Sequence, residues 1–146
     1  MELRLQLPQE REAIRSLLVG AALPVVDLDT ATVHFIVATE RSTPIGAIGL
    51  ERFGSAGLLR SLVVRSDWRG SGVGARLVDA LESFARGNGV DQLVLLTQTA
   101  APFFARRGYR VIERAAAPAA IQASAEFRSL CPASATCMLK ILDPDR

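Results

Sequence analysis

The chain has 146 residues, of which 49% are hydrophobic, and it carries 17 basic and 15 acidic side chains. This length suits one compact domain with its own hydrophobic core, so we predict a single domain over residues 1–146. The small positive net charge is not gathered into a Lys/Arg cluster, which argues against nucleic acid as a partner. No apolar run approaches the roughly 20 residues that span a bilayer, which argues against a membrane partner.

The N-terminal segment MELRLQLPQEREAIRSL carries charge throughout and lacks the apolar centre and cleavage site of a signal peptide. We therefore expect a cytoplasmic protein in which Cys131 and Cys137 are reduced thiols. Two thiols without a third ligand are typical of packing residues, so we expect no metal site.

The first half of the chain predicts one helix followed by an antiparallel meander. Apolar residues at helical spacing predict a helix over 9–19, and Pro24 favours a loop or a short helix over 21–31. Three apolar runs predict strands at 34–39, 45–52 and 58–64, separated by the turn sequences ERSTP and FGSAG. Because the turns are short, we expect neighbouring strands to be antiparallel.

The second half predicts a βαβ unit and a closing pair of strands. A helical pattern begins at Gly72 and ends at the GNG of 87–89, and QLVLLT at 92–97 has the apolar run of a parallel strand. The remaining predicted elements are a short helix at 100–107, a strand at 109–113, an alanine-rich segment of helical character at 115–127 and a strand at 135–142. The fold class is therefore α/β with a mixed sheet.

The stretch VVRSDWRGSGVGARLV places three glycines between the third strand and the following helix. The first N–H groups of a helix have no internal partners, and the helix end carries roughly half a positive charge. Glycines let a phosphate approach those N–H groups closely. A tight turn without a ligand needs only one glycine, so Gly70, Gly72 and Gly74 behind Arg69 favour an anion site.

Three phosphate-binding motifs compete for this stretch. The Gly-Lys-Ser/Thr of a Walker loop does not occur. Gly70, Gly72 and Ala75 match the dinucleotide fingerprint, but the acidic residue expected after the next strand is missing and too little chain follows. Arg69, Gly72 and Gly74 match Arg-x-x-Gly-x-Gly, in which a strand, a bulge and a helix bind the pyrophosphate of coenzyme A.

The segment SLVVRSDWRGSGVGARLVDALESFA resembles motif A of the GNAT N-acetyltransferases, and TAAPFFARRGYRV resembles their motif B. The resemblance implies the GNAT fold, with antiparallel N-terminal strands, flanking helices and acetyl-CoA in a V-shaped opening between splayed parallel strands at 58–64 and 92–97. The C-terminal segment PAAIQASAEFRSLCPASATCM resembles the arsenic-resistance N-acetyltransferases and, more distantly, the acetyltransferase domains of N-acetylglutamate synthases.

The same resemblance implies which residues hold the cofactor. The main chain around Val63, at Leu62 and Val64, would bond the pantetheine arm. The pyrophosphate would be held by N–H groups of Arg69, Gly70, Ser71, Gly72, Val73 and Gly74. Thr97 stands where the family often has Asn and is expected to contact the cofactor. Phe104 occupies the place of the usual tyrosine in the cofactor site and cannot protonate the leaving thiolate, whereas Tyr109 is expected to be a packing residue.

Acetyl transfer to an amine needs a base, because alkylamines with a pKa near about 10 are mostly protonated at neutral pH. Glu51, at the end of the strand beside 58–64, is our candidate catalytic base. Asp27, Asp29 and Glu126 are further candidates. For all four, including Glu51, the alternative is an ordinary structural or solvated carboxylate. For His34, the single histidine, we expect a structural role.

Arg60 interrupts an otherwise apolar strand, where a guanidinium is rarely placed without a partner. Alternation along the strand would put it on the face of Leu62 and Val64. Two interpretations stand side by side: Arg60 binds the carboxylate of the acceptor at two points, or it forms an ion pair with Glu51. Arg128 and Ser134 are candidates for the same acceptor pocket.

The predicted function is that of an acetyl-CoA-dependent N-acetyltransferase acting on a small, amino-acid-like amine. The family resemblance implies an amino acid or an arsenic-containing amino-acid analogue as acceptor, with a role in detoxification. The alternatives are a non-catalytic acyl-CoA-binding sensor, suggested by Phe104, and a protein or peptide N-acetyltransferase. A homodimer is a further prediction.

Overall fold

The structure, a computed structural model, describes residues 1–143. Its strands are β1 (Glu2–Leu5), β2 (Val33–Glu40), β3 (Thr43–Phe53), β4 (Ala56–Val64), β5 (Gln92–Thr97), β6 (Arg110–Val111) and β7 (Thr136–Ile141). Its α-helices are α1 (Arg11–Gly20), α2 (Val73–Gly87), α3 (Ala101–Ala105) and α4 (Ala119–Gln122). Shorter 3₁₀ turns lie at Pro8–Glu10, Ser66–Trp68 and Arg114–Ala116, and a π-helical turn at Glu126–Leu130.

The strands form a mixed sheet in the order β1-β2-β3-β4-β5-β7-β6. Strands β4 and β5 are the parallel pair, with Ala56 opposite Gln92 and Leu58 opposite Val94. The other neighbours are antiparallel, including β7, which lies between β5 and β6 and pairs with both. The predicted α/β fold with a mixed sheet is thereby confirmed.

The chain divides into two compact units, the first of which comprises Met1–Glu51 and Arg60–Phe84. Its core lies where α1 packs against β2, β3 and β4, and its buried members are Ile14, Leu18, Phe35, Val37, Ala47 and Val63. Ile14 and Leu18 are spaced by four residues, so they share one face of α1, as the sequence pattern predicts.

Helix α2 approaches the sheet of the first unit closely at Gly46. A Cβ at this position would lie 3.0 Å from the carbonyl oxygen of Val63 and 3.1 Å from Cδ1 of Leu77. A larger residue would push the helix away, so glycine at 46 lets the first turns of α2 lie directly on β3. This packing fixes the first turns of α2 beside the sheet, and with them the position of the glycine turn at residues 69–74 that follows β4.

The second unit comprises Arg52–Leu59 and the chain from Ala85 onward. Its buried core joins β4 and β5 to β7 and the C-terminal helical turns, through Ala56, Leu58, Val94, Ala117, Ile121, Phe127, Cys137 and Leu139. Burial raises the pKa of the Cys137 thiol, and Cys131 and Cys137 do not form a disulfide with each other. Cys137 therefore serves as a small apolar packing residue, as expected from the sequence.

The structure differs from the predicted elements in two places. Strand β1 was not predicted, because four residues are too few for a periodic pattern. The segment 115–127 is not one helix: Pro118 lacks an N–H and disfavours helix at the residue before it, and Ala117 is extended with φ −70° and ψ 154°. The segment 21–31 forms hydrogen-bonded turns, so of the two predicted alternatives the loop is confirmed.

Candidate functional site

The glycine turn joins the end of β4 to the start of α2 within the first unit. Gly70 and Gly72 have φ of +80° and +88°, a region that side chains other than glycine rarely adopt. A Cβ built at either position meets no atom within 4 Å, so both glycines border open space. The turn therefore has both the conformation and the room that a bound anion requires.

Local hydrogen bonds shape this turn. Arg69 donates from Nε to the carbonyl oxygen of Val64 at 3.2 Å, and Ser71 Oγ donates to the carbonyl oxygen of Trp68. The first turn of α2 contains no acidic side chain, so nothing of the helix itself neutralises its positive end. Arg69, Gly70, Ser71 and Gly72 are exposed, whereas Val73 is buried and anchors the helix.

A second group of functional interest is a buried cluster formed by Asp27, Arg60 and Glu51. Arg60 donates from Nη1 to Oδ2 of Asp27 at 2.7 Å and from Nη2 to Oδ1 at 2.8 Å. Its Nη1 also donates to Oε1 of Glu51 at 2.9 Å. The side chain of Arg60 is 0% exposed, that of Asp27 8% and that of Glu51 13%. Two carboxylates and one guanidinium leave the cluster with a formal charge of −1.

The loop between α1 and β2 brings Asp27 to this cluster. The carbonyl oxygen of Asp27 accepts hydrogen bonds from the N–H groups of Thr30 and Ala31, at 3.1 and 2.8 Å. The two hydrogen bonds from Arg60 hold the pKa of the Asp27 carboxyl below its usual value of 3.8, against the opposing effect of burial. The pair of Arg60 with Glu51 was one of the two predicted interpretations; the two-point bond with Asp27 was not predicted.

Ser61 corrects the predicted orientation of Arg60. Alternation across Arg60, Leu62 and Val64 requires an unbroken extended strand, but Ser61 has φ +59°. A left-handed residue interrupts the alternation of side chains, so the inference that these three share a face fails at Ser61. The Ser61 hydroxyl instead accepts a hydrogen bond from Nε of Arg60 at 3.1 Å.

Four predicted site residues lie in the second unit: Thr97, Phe104, Arg128 and Ser134. Thr97 Oγ1 accepts a hydrogen bond from the N–H of Ala100 at 3.0 Å, at the start of α3. Phe104 is 4% exposed and packs edge-on against Phe103 and Tyr109, at centroid distances of 5.1 and 5.4 Å. Arg128, in the π-helical turn, and Ser134 are both exposed.

The other candidates occupy separate places. Asp29 is exposed and pairs with two arginines of α1, whereas Glu126 is buried in the π-helical turn of the second unit. His34 lies on β2 with its ring 5.9 Å from that of Phe84. Of these, the structure brings only Asp27 to Glu51 and Arg60.

Within residues 1–143 no group of three or more His, Cys, Asp or Glu side chains is arranged to hold a metal ion. None of the helices described there has both the length and the apolar character to cross a membrane.

A family profile described as the acetyltransferase (GNAT) domain matches residues 31–111. This span contains Arg60, Glu51 and the whole glycine turn. The chain belongs to the GNAT acetyltransferase domain family.

A curated relative agrees with this assignment. It is the Bacillus subtilis (strain 168) protein BSU40680, which is named as an acetyltransferase. The two chains are 33% identical over 76 residues, which are 51% of this chain and 52% of that protein. The matched region thus spans about half the length of the curated relative.

Two solved structures share the fold. Rv2747 from Mycobacterium tuberculosis, in complex with CoA and NLQ, superposes with a TM-score of 0.83 at 24% identity, over 98% of this chain and 100% of that chain. N-acetylglutamate synthase from Neisseria gonorrhoeae, complexed with coenzyme A and N-acetyl-glutamate, gives a TM-score of 0.83 at 18% identity, over 97% of this chain and 35% of that chain.

Proposed function

We propose that this protein is an acetyl-CoA-dependent N-acetyltransferase whose acceptor is a small molecule with a primary amine and a carboxylate. The observation that carries the proposal is the open glycine turn at the head of α2, in a chain of the GNAT family. In this proposal the N–H groups of residues 69–74 hold the pyrophosphate of acetyl-CoA. The main chain of β4 at 62–64 receives the pantetheine arm, and Thr97 and Phe104 stay predictions for the cofactor site.

The buried cluster supports an amine as the acceptor. Its formal charge of −1 attracts an ammonium group, and a carboxylate at Glu51 can take the proton that the amine must lose before it attacks the thioester. Arg60 holds Oε1 of Glu51 in place, and Asp27 holds Arg60. In this proposal Arg60 positions Glu51 and does not itself take the acceptor carboxylate, because Nη1 and Nη2 already donate to internal carboxylates.

Two observations support this class of acceptor. The N-acetylglutamate synthase relative is complexed with an acetylated amino acid. The C-terminal segment resembles the arsenic-resistance branch, which makes an arsenic-containing amino-acid analogue a specific candidate and detoxification a specific role. Arg128 and Ser134 stay predictions for the acceptor pocket, as do the homodimer and the cytoplasmic location.

Release of free thiol from acetyl-CoA, measured with a panel of acceptors, tests the proposal. The panel contains amino acids, their decarboxylated amines, an arsenic-containing amino-acid analogue and peptides with free N-termini. We expect thiol release with amino-acid-like acceptors and much less with the decarboxylated amines and the peptides. Binding of acetyl-CoA without thiol release from any acceptor would contradict an enzyme and support an acyl-CoA sensor.

Glu51→Gln tests the base. The amide oxygen can still accept the bond from Arg60, but the side chain no longer takes a proton, so kcat should fall by roughly 100-fold or more. The affinity for acetyl-CoA should not change, and an acceptor whose amine is already neutral at the assay pH should lose much less rate. Glu40→Gln, a substitution at the end of β2 where Glu40 pairs with the N-terminus, serves as the matched control. An equal loss with both kinds of acceptor would show that Glu51 is not the base.

Phe104→Tyr tests whether the leaving group needs an acid. A thiol with a pKa near about 8.5 leaves without much help, so kcat should stay nearly unchanged or rise. Phe103→Tyr adds the same hydroxyl to the neighbouring ring and is the control. A large loss of kcat in Phe104→Tyr alone, with folding and acetyl-CoA affinity intact, would mean that the Phe104 ring packs against the reacting thioester.

A further inference from the structure

A cavity of about 290 Å³ lies in the first unit, between α1, the loop before β2 and the first residues of β2. Its buried lining is apolar and includes Ile14 and Phe35. Its polar lining includes Arg11, Arg15 and Asp29. Half of its lining residues are polar or charged, and apolar surface beside converging charged groups suits a small molecule that carries both kinds of group.

The charged groups of this cavity meet at one atom. Arg11 and Arg15 are four residues apart on α1, so they share a face of the helix. Both donate from Nη2 to the same oxygen of Asp29, Oδ1, at 2.6 and 3.2 Å. Two guanidinium groups thus converge on a single carboxylate oxygen, and a carboxylate is the group that guanidinium geometry fits best.

The internal carboxylate is easily replaced. The side chains of Arg11 and Asp29 are 58% and 69% exposed, and that of Arg15 is 28% exposed. Exposed ion pairs contribute little to stability, because water solvates both partners and the long side chains lose freedom. Releasing Asp29 from the arginines therefore costs little. A ligand carboxylate would gain both arginines, and the apolar part of the ligand would pack against Leu28 and Val33, which line the cavity and are half-buried.

We propose that this cavity binds a small molecule with a carboxylate and a short apolar portion, and that its carboxylate competes with Asp29 for Arg11 and Arg15. The carboxylate has two candidate sources: a separate carboxylic acid, or the acceptor amine itself, whose carboxylate Arg60 is not placed to bind. The second source rests on the proposed function, whereas the site itself does not.

Titration of the full chain with 4-methylpentanoate, followed by amide chemical shifts in NMR, tests the site. This probe has no amine, so it cannot be acetylated, and its amide, 4-methylpentanamide, has the same shape without the charge. We expect 4-methylpentanoate to shift the amides of Thr32 and Phe35 and the uncharged amide to bind much more weakly. Equal binding of the two probes, or no binding of either, would overturn the proposal.

Two substitutions with opposite expected effects sharpen the test. Arg15→Gln should weaken binding of 4-methylpentanoate by about tenfold or more, because a hydrogen bond to a charged group is lost. Asp29→Asn should strengthen it several-fold, because the internal competitor loses its charge. Arg41→Gln, in the exposed turn between β2 and β3, changes the net charge equally and should have no effect. An unchanged affinity in Arg15→Gln, or a weaker one in Asp29→Asn, would also overturn the site.

Initial rates identify the source of the carboxylate. If 4-methylpentanoate raises the KM for an accepted amino acid competitively, the cavity holds the carboxylate of the acceptor. If the KM does not change while NMR shows binding, the occupant is a separate carboxylic acid, and the site still stands. Absence of acetyl transfer with NMR binding intact would count against the proposed enzyme activity and not against the cavity.

Discussion

Replacing Arg60 by methionine should destabilise the protein by about 3–5 kcal/mol, the cost of removing one partner from a buried ion pair. Methionine fills a similar volume, but it leaves Asp27 and Glu51 buried beside each other without a counter-charge. The measurement is the urea midpoint of unfolding at about pH 7. Asp27→Asn removes one of the two charges, so adding it to Arg60→Met should recover part of the loss, in a double-mutant cycle.

The destabilisation caused by Arg60→Met should be smaller in acid. In the wild type the pKa of Asp27 is lowered, so its ionised carboxyl contributes stability that is fully present above the usual value of 3.8. That contribution disappears as the pH falls through the lowered pKa. In Arg60→Met, burial acts on Asp27 without Arg60, so the carboxyl takes up its proton at a higher pH and the repulsion ends. The difference in unfolding free energy between the two proteins should therefore be smaller at about pH 4 than at about pH 7.

The first unit contains a matched control for this prediction. Arg65 and Asp67 form the same two-point pair, at 2.7 and 2.9 Å, but their side chains are 39% and 61% exposed. Arg65→Met should change the urea midpoint little, because solvent already screens this pair. Equal losses in Arg60→Met and Arg65→Met would show that burial of the cluster does not determine its contribution.

Gly72→Glu should weaken binding of acetyl-CoA by tenfold or more, about 1.4 kcal/mol. Gly72 has φ +88° and faces open space at the positive end of α2. The new carboxylate would stand where the proposed site receives a pyrophosphate, and it would repel that group while occupying the helix end. Isothermal titration with acetyl-CoA measures the change.

Backbone strain must be separated from this effect, since any side chain at φ +88° costs about 1–2 kcal/mol. Gly89 has φ +79° and also meets no atom within 4 Å of its Cβ position, but it follows the other end of α2. Gly89→Glu therefore carries the same kind of strain and should bind acetyl-CoA like the wild type. Unchanged affinity in a folded Gly72→Glu would overturn the cofactor assignment.

Features that depend only on neighbouring residues could be predicted from the amino-acid sequence. The bounds of β5, Gln92–Thr97, agree with the prediction. A short, continuous apolar run between a glycine turn and polar residues is typical of a buried strand. The helical pattern of α2 and the glycines at 70, 72 and 74 could be recognised for the same reason, since helix spacing and glycine turns are local properties. Two of these glycines precede α2, and Gly74 lies in its first turn. The family resemblance rested on those local motifs and was confirmed over residues 31–111.

The composition of the buried cluster could not be predicted in full, because it depends on how distant segments pack. Asp27 and Arg60 are 33 residues apart, and no local pattern states that a loop residue will return to the middle of β4. An arginine in an apolar strand indicates that a partner is needed. Glu51 could be predicted as that partner, because it lies on the adjacent strand. The two-point bond with Asp27, the left-handed Ser61 that ends the alternation, and the meeting of Arg11 and Arg15 at Asp29 all arise from packing between distant segments. Burial is what decides which charges must pair, and burial is a property of the folded chain and not of any short stretch of sequence.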